Sequence, residues 1–165
     1  FGTSMCYPIS SFGAHVAARP RTSLKTRGNV AMCGTFGYEL DPRKLTDDEK
    51  AEVKQQIADY HKYHRLVREG DFYRLVSPTE NDFYCAWEFV SPDKQEAMMT
   101  AVVMRQPETR YCVQRLRGLD PKTYYQDEET GTVYSGAMLM NAGLNLTRDV
   151  YEDGTSVTKH FKAVK

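Results

Sequence analysis

The sequence carries no net charge: 22 Lys and Arg are balanced by 22 Asp and Glu. Without a global field there is nothing to draw in a polyanion, so neither nucleic acid nor an anionic membrane is expected as a partner. No apolar run reaches the 18 or so residues of a membrane span, and the first residues lack the basic, apolar, small-residue order of a secretory signal. A soluble, cytoplasmic protein is the expectation. The four cysteines, Cys6, Cys33, Cys85 and Cys112, are widely separated and form no CxxC, which removes the spacing of a zinc site; they read as reduced, buried thiols. Without a secretory signal the Asn145-Leu146-Thr147 sequon reads as unused. There is no Gly-rich phosphate loop, no GxSxG elbow and no HExxH, so no cofactor or metal is implied and no active site is complete.

What is present is organised around Thr46–Gly70. Thr46 with Glu49 three residues on is a capping box, and Asp47 and Asp48 lie where the helix dipole favours negative charge. Val53, Ile57, Tyr60, His64 and Val67 recur at spacings of four, three, four and three, one stripe of an amphipathic helix, and Gly70 supplies the stop. On this pattern Ile57 is a core residue. Such a helix is roughly 37 Å long and must lie along something large.

The residues before it read as an α/β pattern. Phe1–Ile9 is a short apolar run ending at a proline, which suits a buried strand, followed by a loop, ISSFGAHVAARP. Thr22–Met32 has helical character weakened by Gly28 and Asn29. Gly34–Leu40 alternates Phe36, Tyr38 and Leu40 against Gly37 and Glu39, a strand delivering into the long helix. The chain opens at Phe1 without a methionine, which suggests processing or a piece of something longer. After Gly70 the signals are short β runs at close intervals: DFYRLV, Tyr84–Val90, Ala97–Met104, Tyr111–Arg117, TYYQ and TVYS. One helical turn is expected at Ala137–Gly143 and a hairpin at Asp153-Gly154. Tyr84–Val90 is apolar on both faces and belongs in the middle of a sheet. Seven or so such strands make an antiparallel β-sandwich.

The candidate chemistry is sparse. His61 and His64 share a helix face but have no third ligand in view, so packing or surface roles fit them better than zinc. His15 follows Gly13 in a loop of the kind where α/β proteins place functional groups, and reads equally as a site wall or a loop anchor. Glu39 and Asp41 face the same way at a strand end; an ion pair to Arg27 or Arg43 would explain either. Trp87 could belong to a sugar-stacking platform, but a central strand explains it better. Arg105, Arg110, Arg115 and Arg117 are interspersed with acids and read as a solvated face.

Taken together, YPISSFGAHVAARP, TRGNVAMCGTFGYELD, KLTDDEKAEV, GDFYRLVSP and LRGLDPKTYY resemble the C-terminal end of the α-galactosidases of glycoside hydrolase family 36. The resemblance implies the end of a (β/α)8 TIM barrel over residues 1–70 and a C-terminal antiparallel β-sandwich domain over 71–165. Thr3–Tyr7 would be the seventh barrel strand, Gly34–Leu40 the eighth and Thr46–Gly70 the eighth helix. It also implies a retaining mechanism on terminal α-linked galactose of melibiose or raffinose type, and a homo-oligomer. The family's aspartate pair lies in motifs resembling K-W-D-x-N and S-D-x-x-D, and neither occurs here. No catalytic residue is therefore assigned to this chain, and Tyr7, His15 and Glu39 are the candidates for a substrate-pocket wall. After HVAARP the family usually carries several more polar residues, which are missing here. Two other readings are a free-standing β-sandwich that binds carbohydrate or a partner chain, and a transglycosidase of raffinose-type synthesis.

Overall fold

The computed structural model describes residues 1–11, 13–18, 22–81, 83–106, 112–149 and 152–164. The first half is a parallel β-α-β unit. Strand β1 (Gly13–Ala17) pairs in parallel with β2 (Thr35–Glu39), with Gly13 opposite Thr35 and Ala17 opposite Glu39; helix α1 (Leu24–Ala31) connects them. Ser23 caps α1 by accepting the Thr26 N–H at 3.1 Å. Gly28, which weakens α1 as a sequence, has a packing reason: a Cβ there would come within 2.4 Å of the Gln56 side chain on the next helix.

That next helix, α2 (Asp47–Glu69), is the long one, and both halves of its capping box form. Glu49 N–H donates to Thr46 Oγ1 at 3.2 Å and Thr46 N–H donates to Glu49 Oε2 at 2.9 Å. Gly70 ends it in an extended, not left-handed, conformation; a Cβ there would lie 2.4 Å from the Leu66 carbonyl and 2.9 Å from that of Val90. Glycine is needed for close approach, not for backbone freedom.

Residues 71–164 form an antiparallel layer. Strands β3 (Asp71–Val76), β4 (Tyr84–Val90), β5 (Glu96–Val103), β7 (Tyr124–Asp127), β8 (Val133–Ser135) and β10 (Ser156–Val164) make one sheet in the order β3-β4-β5-β10-β7-β8. A two-stranded ribbon, β6 (Val113–Gln114) with β9 (Leu144–Asn145), and the short helix α3 (Gly136–Asn141) complete the half. The layer facing the large sheet is thus thin: a ribbon, a helix and loops enclose a core that includes Met99, Tyr125, Leu139, Leu146 and Phe161. The opposite face of the same sheet, through Trp87, Phe89 and Met98, packs on Ile9, Met32, Leu66 and Val67 from the α/β half. Strand β4 lies between β3 and β5 and is buried on both sides, as its two-faced apolar pattern requires.

Four expectations need correction. Phe1–Ile9 is not a strand: Thr3–Met5 and Ile9–Ser11 are single turns of 3-10 helix, and Ser4 is buried where Arg74 Nε donates to its hydroxyl at 3.0 Å. The parallel partner of β2 is Gly13–Ala17, inside the stretch read as a loop. On α2, Ile57 is 40% exposed while Gln56 is 5% exposed. Gln56 replaces an apolar core residue because its amide is satisfied: Nε2 donates to the Leu24 carbonyl at 3.1 Å, and Tyr38 Oη donates to Oε1 at 2.9 Å. The thiols are free, but Cys6 is exposed and only Cys112 is buried. The strand expected before Asp153-Gly154 and the short loop after Pro20 fall at least partly on residues outside those described.

Candidate functional site

The parallel pair has two faces. Ala14 and Val16 on β1 and Phe36 and Tyr38 on β2 turn toward α1 and α2. Gly13, His15 and Ala17, with Thr35, Gly37 and Glu39, occupy the other face by strand alternation. There the structure brings two sequence candidates together. His15 Nδ1 donates to Glu39 Oε1 at 2.9 Å. An ionised carboxylate only accepts, so the contact puts a proton on Nδ1 and leaves Nε2 at the far side of the ring. The ring lies over glycine: a Cβ at Gly37 would come within 2.9 Å of Cδ2, and one at Gly13 would lie 3.4 Å from Nε2. Glu39 is the last residue of β2, so the pair sits at and just below the carboxyl ends of parallel strands, where βα proteins build their sites.

The other candidates are dispersed. Tyr7 is 63% exposed, and its ring makes no hydrogen bond to His15 or Glu39. Asp41 does not join Glu39; it takes two bonds from the Arg43 guanidinium at 2.9 Å, which hold its carboxyl below the usual range. Arg27 donates to the Ala17 carbonyl instead of to either acid. On α2, His64 Nδ1 donates to the His61 carbonyl at 2.9 Å and its ring tilts against Tyr60. Trp87 is 4% exposed and offers no stacking platform. Of the arginines, Arg105 lies over the Phe83 ring, Arg115 and Arg117 are exposed, and Arg110 falls outside the described residues.

Sequence reasoning missed a second polar cluster, where α2 meets the sheet. His160 is buried on β10, with Nδ1 2.7 Å from Glu128 Oε2 and Nε2 2.6 Å from Glu96 Oε1. Lys62 Nζ donates to the same Glu128 oxygen at 2.5 Å, Tyr63 Oη at 3.2 Å, and Lys162 Nζ lies 2.8 Å from Oε1. Burial would raise the Glu128 carboxyl, but Lys162, Lys62 and His160 outweigh it and pull it down to about 2. The cluster borders a groove of about 870 Å³ between α1, α2 and β10, also lined by Asn29, Asp59 and Arg148. No local spacing announces it, because its members come from α2, β5, β10 and the turn after β7.

The two halves match two descriptions. Residues 1–70 match the model described as Melibiase, and residues 84–161 the glycosyl hydrolase family 36 C-terminal domain. The chain belongs to glycoside hydrolase family 36. Among family-36 relatives it is 49% identical over 153 residues to alpha-galactosidase AgaA of Geobacillus stearothermophilus, a match covering 88% of this chain and 21% of AgaA. It is 44% identical over 153 residues to the bifunctional alpha-galactosidase/sucrose kinase AgaSK of Mediterraneibacter gnavus, covering 88% of this chain and 16% of that protein. The galactosidase domain of AgaSK superposes with a TM-score of 0.93 at 40% identity, over 99% of this chain and 23% of the other. An AgaA variant solved in complex with raffinose superposes with a TM-score of 0.91 at 45% identity, again over 99% and 23%. This family-36 chain therefore spans about a fifth of the length of the curated relatives it matches.

Proposed function

We propose that this chain is the C-terminal portion of an α-galactosidase that removes terminal α-linked galactose from oligosaccharides of the melibiose and raffinose type. The carrying observation is that both halves, in order, superpose on α-galactosidases over 99% of the chain at 40–45% identity. In this reading β1 and β2 are the last two strands of a (β/α)8 barrel, α2 is the helix that follows, and residues 71–165 are the C-terminal β domain. Tyr7, His15 and Glu39 are this chain's wall residues, and His15 and Glu39 touch. The mechanism is retaining, which needs two carboxyl groups about 5–5.5 Å apart. Glu39 has no second carboxylate in that role: Asp41 is committed to Arg43. The nucleophile and the acid/base are assigned outside this chain.

The parent is read as a cytoplasmic homo-oligomer acting on soluble oligosaccharide, without nucleic acid or membrane partners. Among the described residues no helix is long and apolar enough to cross a membrane. A free-standing carbohydrate-binding module required an exposed aromatic platform, and the burial of Trp87 argues against it.

The test is hydrolysis of p-nitrophenyl α-galactoside by the full-length natural protein and, separately, by this chain. Activity in the first and none in the second is expected. An inactive full-length protein would overturn the reading, and activity in this chain alone would overturn the placement of the carboxylates.

A further inference from the structure

We propose that Glu39 and His15 form a positioning dyad in the substrate pocket, Glu39 fixing the imidazole so that Nε2 meets a hydroxyl of the bound galactoside. This deepens the reading above and rests on it.

Two observations carry the dyad. The Nδ1–Oε1 contact of 2.9 Å fixes the ring's orientation and its tautomer, so a neutral His15 presents a lone pair at Nε2. A sugar hydroxyl, which is both donor and acceptor, is matched by such a group. The second observation is the bed of the ring. With no Cβ at Gly13 or Gly37 the imidazole lies close to the β1 and β2 backbone, and any side chain at Gly37 would displace it. The other side chains on that face are small, Ala17 and Thr35.

Glu39 acts through His15, so the two substitutions should not add. In the full-length enzyme, steady-state hydrolysis of p-nitrophenyl α-galactoside and raffinose is compared for the natural protein, His15→Ala, His15→Gln, Glu39→Gln and the double variant His15→Ala/Glu39→Gln. His15→Ala should lower kcat/KM about tenfold to a hundredfold, the scale of one or two lost hydrogen bonds. His15→Gln, whose amide reaches toward the Nε2 position, should recover part of it. Glu39→Gln should lower kcat/KM less and change its pH profile, and the double variant should be no worse than His15→Ala alone. Melting temperatures should stay within a few degrees throughout. An active natural enzyme whose His15→Ala and Glu39→Gln variants keep kcat and KM within twofold would overturn the dyad and leave the α-galactosidase reading intact. A natural enzyme inactive on both substrates would overturn that reading and the dyad with it. If His15→Ala fails to fold, Glu39→Gln still decides: an unchanged KM and pH profile there overturns the proposal.

Discussion

Glu88 is the residue whose environment costs the fold most visibly. It is 0% exposed in the middle of β4; Oε2 accepts the Arg117 N–H at 2.9 Å while Oε1 has no hydrogen-bond partner. Burial pushes its carboxyl up to about 8, against the opposing pull of the Arg117 N–H and charge. A carboxyl raised on folding favours the protonated native state, so its contribution is fully present below about pH 4.5 and is lost as pH rises through about 8. Glu88→Gln keeps an acceptor for Arg117 and cannot ionise. The variant should be more stable by about 1–3 kcal/mol near pH 9 and nearly unchanged near pH 5. Thermal melts at the two pH values check it, and parallel curves for both proteins would show that Glu88 does not ionise in the fold. Nothing around Glu88 in sequence predicts this: on an alternating pattern it is merely a polar interruption. The His15–Glu39 contact was half legible. Each residue is singled out by its place near a strand, but their pairing depends on a parallel register joining positions 24 apart.

At the scale of elements, α2 shows what local chemistry can and cannot specify. Its ends are readable because a capping box and a glycine are short-range devices. Its buried face is not, because Gln56 becomes a core residue only through Gly28, Leu24 and Tyr38, which pack against it from elsewhere. The buried apolar anchors are Leu66 and Val67, 5% and 2% exposed. Val67→Asp should cost about 3–5 kcal/mol in a urea titration of this chain, while Ile57→Asp should cost under about 1 kcal/mol. Equal losses would mean that the stripe and not the contacts defines the core. Thr46→Ala removes the cap and should cost about 1 kcal/mol by the same measurement. Strand β1 was missed for a related reason. GAHVA contains one β-branched residue, Val16, and takes its strand form from pairing with β2 across an intervening helix.

At the scale of the whole molecule, the α/β half is held to the sheet by apolar packing and by the carboxylate of Glu128. That carboxyl is held at about 2, so its contribution is present above about pH 4.5 and is lost as pH falls through about 2. Glu128→Gln should cost about 2 kcal/mol near neutral pH and should flatten the loss of stability between about pH 4.5 and 2. Thermal melts across that range check it; equal steepness in both proteins would place the acid sensitivity elsewhere. The sequence changes grammar at Gly70, yet Trp87, Phe89 and Met98 pack on Ile9, Met32, Leu66 and Val67 across that change, because a change of periodicity marks where elements change and not where a core ends.

That shared core sets an order on biosynthesis. Ile9, Met32 and Val67 leave the ribosome before Trp87, Phe89 and Met98 exist to cover them. The emerging first half therefore carries an uncovered apolar surface until β4 and β5 arrive, and a nascent chain stalled at Gly70 would be a client for chaperones and not a finished domain.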